Sequence, residues 1–111
     1  MDWETLSTRE RDELIAVELM GWHPERAQKE APPAYSTDLS AAWAVVAKFP
    51  RLRFVFERFE GENGTCSAGF RDMDRRERGA SSWWGDADTP AEAICLAALR
   101  ASGVLAPSPR R

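Results

Sequence analysis

One histidine, two cysteines and two lysines are all that this chain of 111 residues contains of three chemically versatile residue types. The single histidine, His23, has no cysteine or second histidine at ligand spacing, so it builds no zinc site. Beside Trp22 and Pro24 it reads as a surface or packing residue rather than a general base. Cys66 and Cys95 sit among apolar neighbours without metal spacing and read as small buried hydrophobes with free thiols. A disulfide framework is thereby excluded, and a cytoplasmic setting is the default. No apolar run approaches the ~20 residues that span a bilayer. The opening stretch MDWETLSTRERDEL is charged where a signal peptide would be apolar, so a soluble intracellular protein is expected, without membrane attachment. Positive charge is not in excess either. Fifteen Lys and Arg against eighteen Asp and Glu leave a net charge of −3, and nothing here draws the chain to nucleic acid in general. Glycine-rich phosphate loops and nucleophile elbows are missing as well. No catalytic residue, metal or cofactor is expected, and the chain does not read as an enzyme.

What is present is a set of well-punctuated elements. Thr89 to Gly103 (TPAEAICLAALRASG) carries a capping Thr89, Pro90 in the first turn, Glu92 three residues after the cap, and a terminal Gly103. It is apolar on nearly every side, which marks a buried core helix. Ser7-Thr8-Arg9-Glu10 opens another helix, running through Met20 to the stop at Gly21. Its apolar side is Leu14, Ile15, Val17, Leu19 and Met20; Asp12 belongs with the wetted charges. His23 to Ala34 contains three prolines and no sustained period and reads as a loop. Ser36 or Thr37 then caps a helix whose core-facing stripe is Leu39, Ala42, Trp43 and Val46, with Pro50 as its limit.

Alternation from Arg51 to Phe59 puts Leu52, Phe54 and Phe56 on one face of a strand. Asn63-Gly64 turns the hairpin, Thr65 to Arg71 returns, and a third strand runs from about Gly79 to Gly85. Trp83 and Trp84 must point to opposite sides of it. The order α-α-β-β-β-α describes an α+β domain: a small antiparallel sheet of three or more strands with helices packed on it. One domain covers residues 1–106, and residues 107–111 are a frayed tail.

The pairs Asp72/Asp74, Asp86/Asp88 and Glu60/Glu62 suit turns better than a cation site, because they lack the glycine and distal glutamate of a calcium loop. The best constellation is basic and aromatic. Arg71, Arg75, Arg76 and Arg78 cluster near Trp84, with Arg53 and Arg58 on the neighbouring strand. Guanidinium groups beside an indole are suited to a nucleotide-like anion through paired hydrogen bonds and stacking, although Asp72, Asp74 and Glu77 partly neutralise them. Five tryptophans exceed what so small a core needs. Trp3 and Trp22 in particular point to an interface with a protein partner or a second copy.

Three segments together carry a resemblance: Asp12-Glu13-Leu14-Ile15 through Met20-Gly21-Trp22, Tyr35-Ser36-Thr37-Asp38 with Ala42-Trp43, and Ala93-Ile94-Cys95-Leu96-Ala97-Ala98-Leu99. In that order they resemble the phage ABA-sandwich domain family. The resemblance implies an α/β/α sandwich, no assigned activity and no catalytic residues, and a phage or prophage accessory protein acting in a bacterial host. Two functional expectations follow. The first is a non-catalytic protein that binds a host or phage partner or itself. The second is a protein that sequesters a nucleotide-like anion on Arg71, Arg75, Arg76, Arg78 and Trp84.

Overall fold

The computed structural model describes residues 2–58, 65–72 and 82–106. Its last helix, α4 (Pro90–Ala101), buries eight side chains: Ala91 and the unbroken run Ala93 to Leu99. The Thr89 hydroxyl accepts from the Glu92 amide at 3.3 Å. Beyond the helix Gly103 adopts φ +86°, a conformation that costs glycine nothing, and lets the Val104 amide donate back to the Leu99 carbonyl at 2.9 Å. The Glu92 carboxylate has a longer reach than a capping role requires. It accepts from Trp3 Nε1 at 3.3 Å and lies 3.6 Å from Arg11, tying the start of the chain to the start of α4.

Three antiparallel strands, β1 (Arg53–Arg58), β2 (Cys66–Arg71) and β3 (Ser82–Ala87), form a sheet in the order β1-β2-β3. The register aligns Phe54, Phe70 and Trp83 in one row, and Phe56, Ala68 and Gly85 in the next. Phe70, Ala68 and Cys66 join the α4 side chains in the core. At Gly85 helix and strand come so close that an added Cβ would sit 2.4 Å from the Ala93 carbonyl oxygen and 2.6 Å from the Ala97 amide nitrogen. Ala93 and Ala97, four residues apart, therefore present backbone to backbone at this crossing. Cys66 to Phe70 are all buried, so the central strand is covered on both faces. On the face turned from α4, the Trp84 ring lies where a Gly69 Cβ would be, 2.8 Å from the nearest ring atoms.

Two of the remaining helices pack against α4, and the third packs on one of those two. Helix α1 (Thr8–Glu18) begins with the expected capping box, the Ser7 hydroxyl accepting from the Glu10 amide at 3.1 Å and Glu10 Oε1 accepting from the Ser7 amide at 3.0 Å. Gly21, at φ +80°, turns the chain so that the Trp22 amide donates to the Ala16 carbonyl. The segment expected as a loop holds a helix, α2 (Pro24–Lys29), capped by the ring of His23. Its signals are a cap, a first-turn proline, Glu25 near the N-terminus and Lys29 at the C-terminus, but Pro32 and Pro33 close behind mask them. Helix α3 (Leu39–Val46) is capped by Asp38, not by Ser36 or Thr37. Ser36 has another role: its amide and hydroxyl both donate to Asp12 Oδ1, at 2.9 and 2.7 Å. Asp12 is consequently buried, contrary to its expected place among the wetted charges of α1.

The fold is α+β, with the expected order of helices, three strands and a final helix, and one short helix added. Among the described residues no helix is long and apolar enough to cross a membrane. The Asn63-Gly64 turn, most of the charged Asp72–Arg78 turn and the 107–111 tail lie outside the described residues.

The crossing at Gly85 predicts that Gly85→Ala lowers stability in urea denaturation by at least about 2 kcal/mol, because the two nearest clashing atoms are backbone and the third is the Leu96 Cβ, which is fixed to it. Gly21→Ala, strained in φ but with nothing within 4 Å of its added Cβ, is expected to cost about 1 kcal/mol.

Candidate functional site

Of the basic and aromatic constellation, the structure describes Arg71 and Trp84. Arg71 ends β2 with an exposed side chain, its guanidinium carbon 5.8 Å from the Trp84 ring centre. The two residues are therefore brought together as expected. The indole, however, is 2% exposed. It packs over Gly69 and donates from Nε1 to the Ser82 hydroxyl at 3.3 Å. A ring so enclosed offers no open face for a base to stack on, which corrects the expected role of Trp84. Arg75, Arg76 and Arg78 lie outside the described residues. Arg53 stands directly across from Arg71 in the sheet register, and Arg58 across from Cys66.

Of the other candidates, Glu60, Glu62 and Asp74 lie outside the described residues, and Asp86 and His23 have structural partners. Asp86 Oδ1 accepts from the buried Ser67 hydroxyl at 2.6 Å, a cross-strand pair in register. His23 Nδ1 accepts from the Glu25 amide at 3.2 Å as the cap of α2, on an exposed ring. Among the described residues no group of three or more His, Cys, Asp and Glu is placed to hold a metal ion. Both cysteines are free and buried. The Cys95 thiol donates to the Tyr35 carbonyl at 3.2 Å. Burial, reinforced by the charges of Asp12 and Glu92, pushes its pKa well above the ordinary thiol range. Such a thiol is inert as a nucleophile. A groove of about 280 Å³ lies between α1 and α2, floored by Leu6, Leu14, Val17 and Ala27. Two acids on its rim are already engaged, Glu10 with Ser7 and Glu13 with Arg9 at 2.9 Å.

The surface that lacks such internal partners is apolar. Leu39, Trp43 and Phe56 are 41, 49 and 41% exposed. Trp43 meets the half-buried Phe54 edge-on, ring centres 5.4 Å apart. Phe56 lies on β1 itself and Trp43 reaches that strand through Phe54; among the described residues β1 is an outer strand of the sheet, bonded to β2 on its inner side. This corrects two expectations. The stripe of α3 that enters the core is Ala42 and Val45, so Leu39 and Trp43 turn outward. Phe56 points to the covered face but, on an edge strand, lies past the shelter of α4. The surplus of tryptophan is also differently distributed. Trp3 is buried, with Arg11 stacked 4.7 Å from its ring centre, and Trp22 is half-buried under Arg26 at 3.8 Å. The exposed indole is Trp43. The signal was present in Leu39–Val46 itself, which has no polar face beyond Ser40 and so could not bury all its apolar side chains against one core.

Comparison with protein families finds one model, the phage ABA sandwich domain, matching residues 13–99. No curated protein and no solved structure matches the chain.

Burial of Cys95 predicts an alkaline instability. Its pKa is raised in the folded state, so its contribution is complete below the ordinary thiol range and is lost as pH rises through it toward the folded value. Thermal or urea unfolding above pH ~8.5 should show stability falling with a slope of up to about 1.4 kcal/mol per pH unit from this group. Cys95→Ala should remove that part of the slope. The slope that persists at higher pH belongs in part to Tyr35, whose phenol is likewise raised, first by burial.

Proposed function

The chain belongs to the phage ABA sandwich domain family, and from that premise we propose that it is a non-catalytic phage or prophage accessory protein that acts in the bacterial cytoplasm by binding a protein, either a partner or a second copy of itself. The observation that carries this reading is the exposed aromatic pair Trp43 and Phe56 at β1, whose outer edge is unpaired among the described residues. Scattered exposed apolar side chains are ordinary in monomers, but here two large aromatics adjoin a strand edge that is open among the described residues. Aromatic residues are enriched at the centres of protein interfaces, where their area is removed from water with little loss of side-chain freedom. The edge adds backbone donors and acceptors that another strand can satisfy. The buried polar groups support the same reading from the other side. Asp12, Ser67 and Cys95 all have partners inside the fold, leaving none of them poised for a substrate.

The reading is tested by placing a photoreactive phenylalanine analogue at position 56, and as a control at the exposed Lys29, in bacteria carrying the phage genes. Illumination is expected to give a discrete adduct from position 56 and none from position 29. An adduct of twice the chain mass means self-association, and any other discrete mass means a different protein. Labelling at position 56 no stronger than at 29 overturns the proposal.

A further inference from the structure

Ahead of its last residue, Arg58, strand β1 carries Arg53-Phe54-Val55-Phe56-Glu57, a cation, an aromatic, an aliphatic, an aromatic and an anion. Read backwards, the pattern is the same with the charges exchanged. It is free of proline and glycine, the usual means of blunting an edge strand. Among the described residues nothing pairs with its outer side.

Two copies of an edge strand can pair antiparallel about a twofold axis perpendicular to the sheet. Each face of one copy then continues into the same face of the other, so residues directly opposed must come from the same face. Four registers satisfy this with at least one pair on either side of the axis, and the one centred on Glu57 opposes that acid to itself and Phe56 to Arg58. Centred on Phe54, the pairing opposes Arg53 to Val55, and Glu57 meets only Arg51, which precedes the strand. Centred on Phe56, it opposes Val55 to Glu57 and Phe54 to Arg58. Centred on Val55, it opposes Arg53 to Glu57 twice, Phe54 to Phe56 twice, and Val55 to itself. Of the pairs made within the strand, only those about Val55 set unlike charges opposite each other and aromatic opposite aromatic.

The chain's own sheet leaves these charges in want of such a mate. Arg53 lies directly across from Arg71, a like-charge pair that is unfavourable in a sheet, and Glu57 lies across from Ser67. The ion pairs among the described residues involve neither Arg53 nor Glu57. On the opposite face, Phe56 is 41% exposed and Trp43 49%. A row of Phe54 and Phe56 continued from a second copy would cover both.

We propose that the protein occupying this surface is a second copy of the chain, joined by antiparallel pairing of the two β1 edges about Val55, with Arg53 of each copy opposite Glu57 of the other. The result is one continuous six-stranded sheet. The inference rests on the binding reading above and names its partner and register.

The test is sedimentation equilibrium on the full chain and its exposed-site variants. The natural chain is expected to be dimeric. Arg53→Glu makes both flanking positions acidic and Glu57→Arg makes both basic, so each variant alone should dimerise about tenfold or more weakly, each replacing two attractive cross-strand pairs with repulsive ones. An equimolar mixture of the two variants restores unlike charges across the axis and should associate as tightly as the natural chain. So should the double variant Arg53→Glu/Glu57→Arg. Thermal midpoints within a few degrees of the natural chain confirm that the variants are folded, and the mixture makes the test independent of small losses in either one. A mixture no tighter than its components overturns the register. A natural chain that stays monomeric overturns the dimer. In that case a foreign-mass adduct at position 56 leaves the wider binding proposal standing, whereas absence of any adduct removes both.

Discussion

Between α4 and β3 there is no room for a side chain at position 85: the Ala93 carbonyl and Ala97 amide stand where a Cβ would be. This close approach of two backbones governs how the helix lies on the sheet. Alanines on the facing surface of α4 let it descend, and the large side chains on either side, Ile94 and Leu99 of the helix and Phe70 of the sheet, then close around the crossing in one core. The opposite face of the sheet uses the same device. There the absent side chain of Gly69 admits the Trp84 ring. Two glycines on adjacent strands thus set the thickness of the fold, one for a helix and one for an indole.

The elements that do not touch the sheet are held to α4 by polar ties. Glu92 receives Trp3 Nε1 and lies near Arg11, Cys95 donates to the Tyr35 carbonyl, and the neighbouring Ser36 donates twice to Asp12. Each tie joins residues far apart in sequence, and together they link the starts of α1 and α4 to the turn before α3. The three segments that carry the family resemblance, around Asp12, Tyr35-Ser36 and Cys95, therefore meet in space. What looks like three separate helix patterns along the chain is one hydrogen-bonded junction in the fold. Its groups are satisfied by one another, and burial holds the Cys95 thiol in its neutral form.

The surface left over follows from the size of the sheet. With three strands, α4 lies mainly across β2 and β3, and β1 extends past its cover. Phe56 is exposed for this reason, and Trp43 of α3, resting against Phe54, shares its position at the margin. An edge strand with Phe54 and Phe56 on one face and Arg53 and Glu57 on the other has the makings of a protein contact. The Trp84 indole, by contrast, is buried and belongs to the packing of the sheet.

The sequence by itself determined the local structure. Thr89 to Gly103, the Ser7 capping box, the alternation of β1 and β2 and the free buried cysteines are all legible, because caps, periods and turn residues act within a few positions of one another. A short helix at Pro24–Lys29 was hidden only because prolines follow it closely. What tertiary structure decided is which of several chemically equivalent residues goes where. Asp12 resembles the other charges of α1 until Ser36 is brought against it. Trp3, Trp43 and Trp84 are alike as indoles, yet two are buried and one is exposed. Leu39 and Trp43 fit a core stripe as well as Ala42 and Val45 do, and only the position of α4 chooses between them. The physical reason is the same in each case. Burial and hydrogen-bond partnership are relations between segments distant in the chain, and the chain's own periodicity specifies a face without specifying what that face will meet.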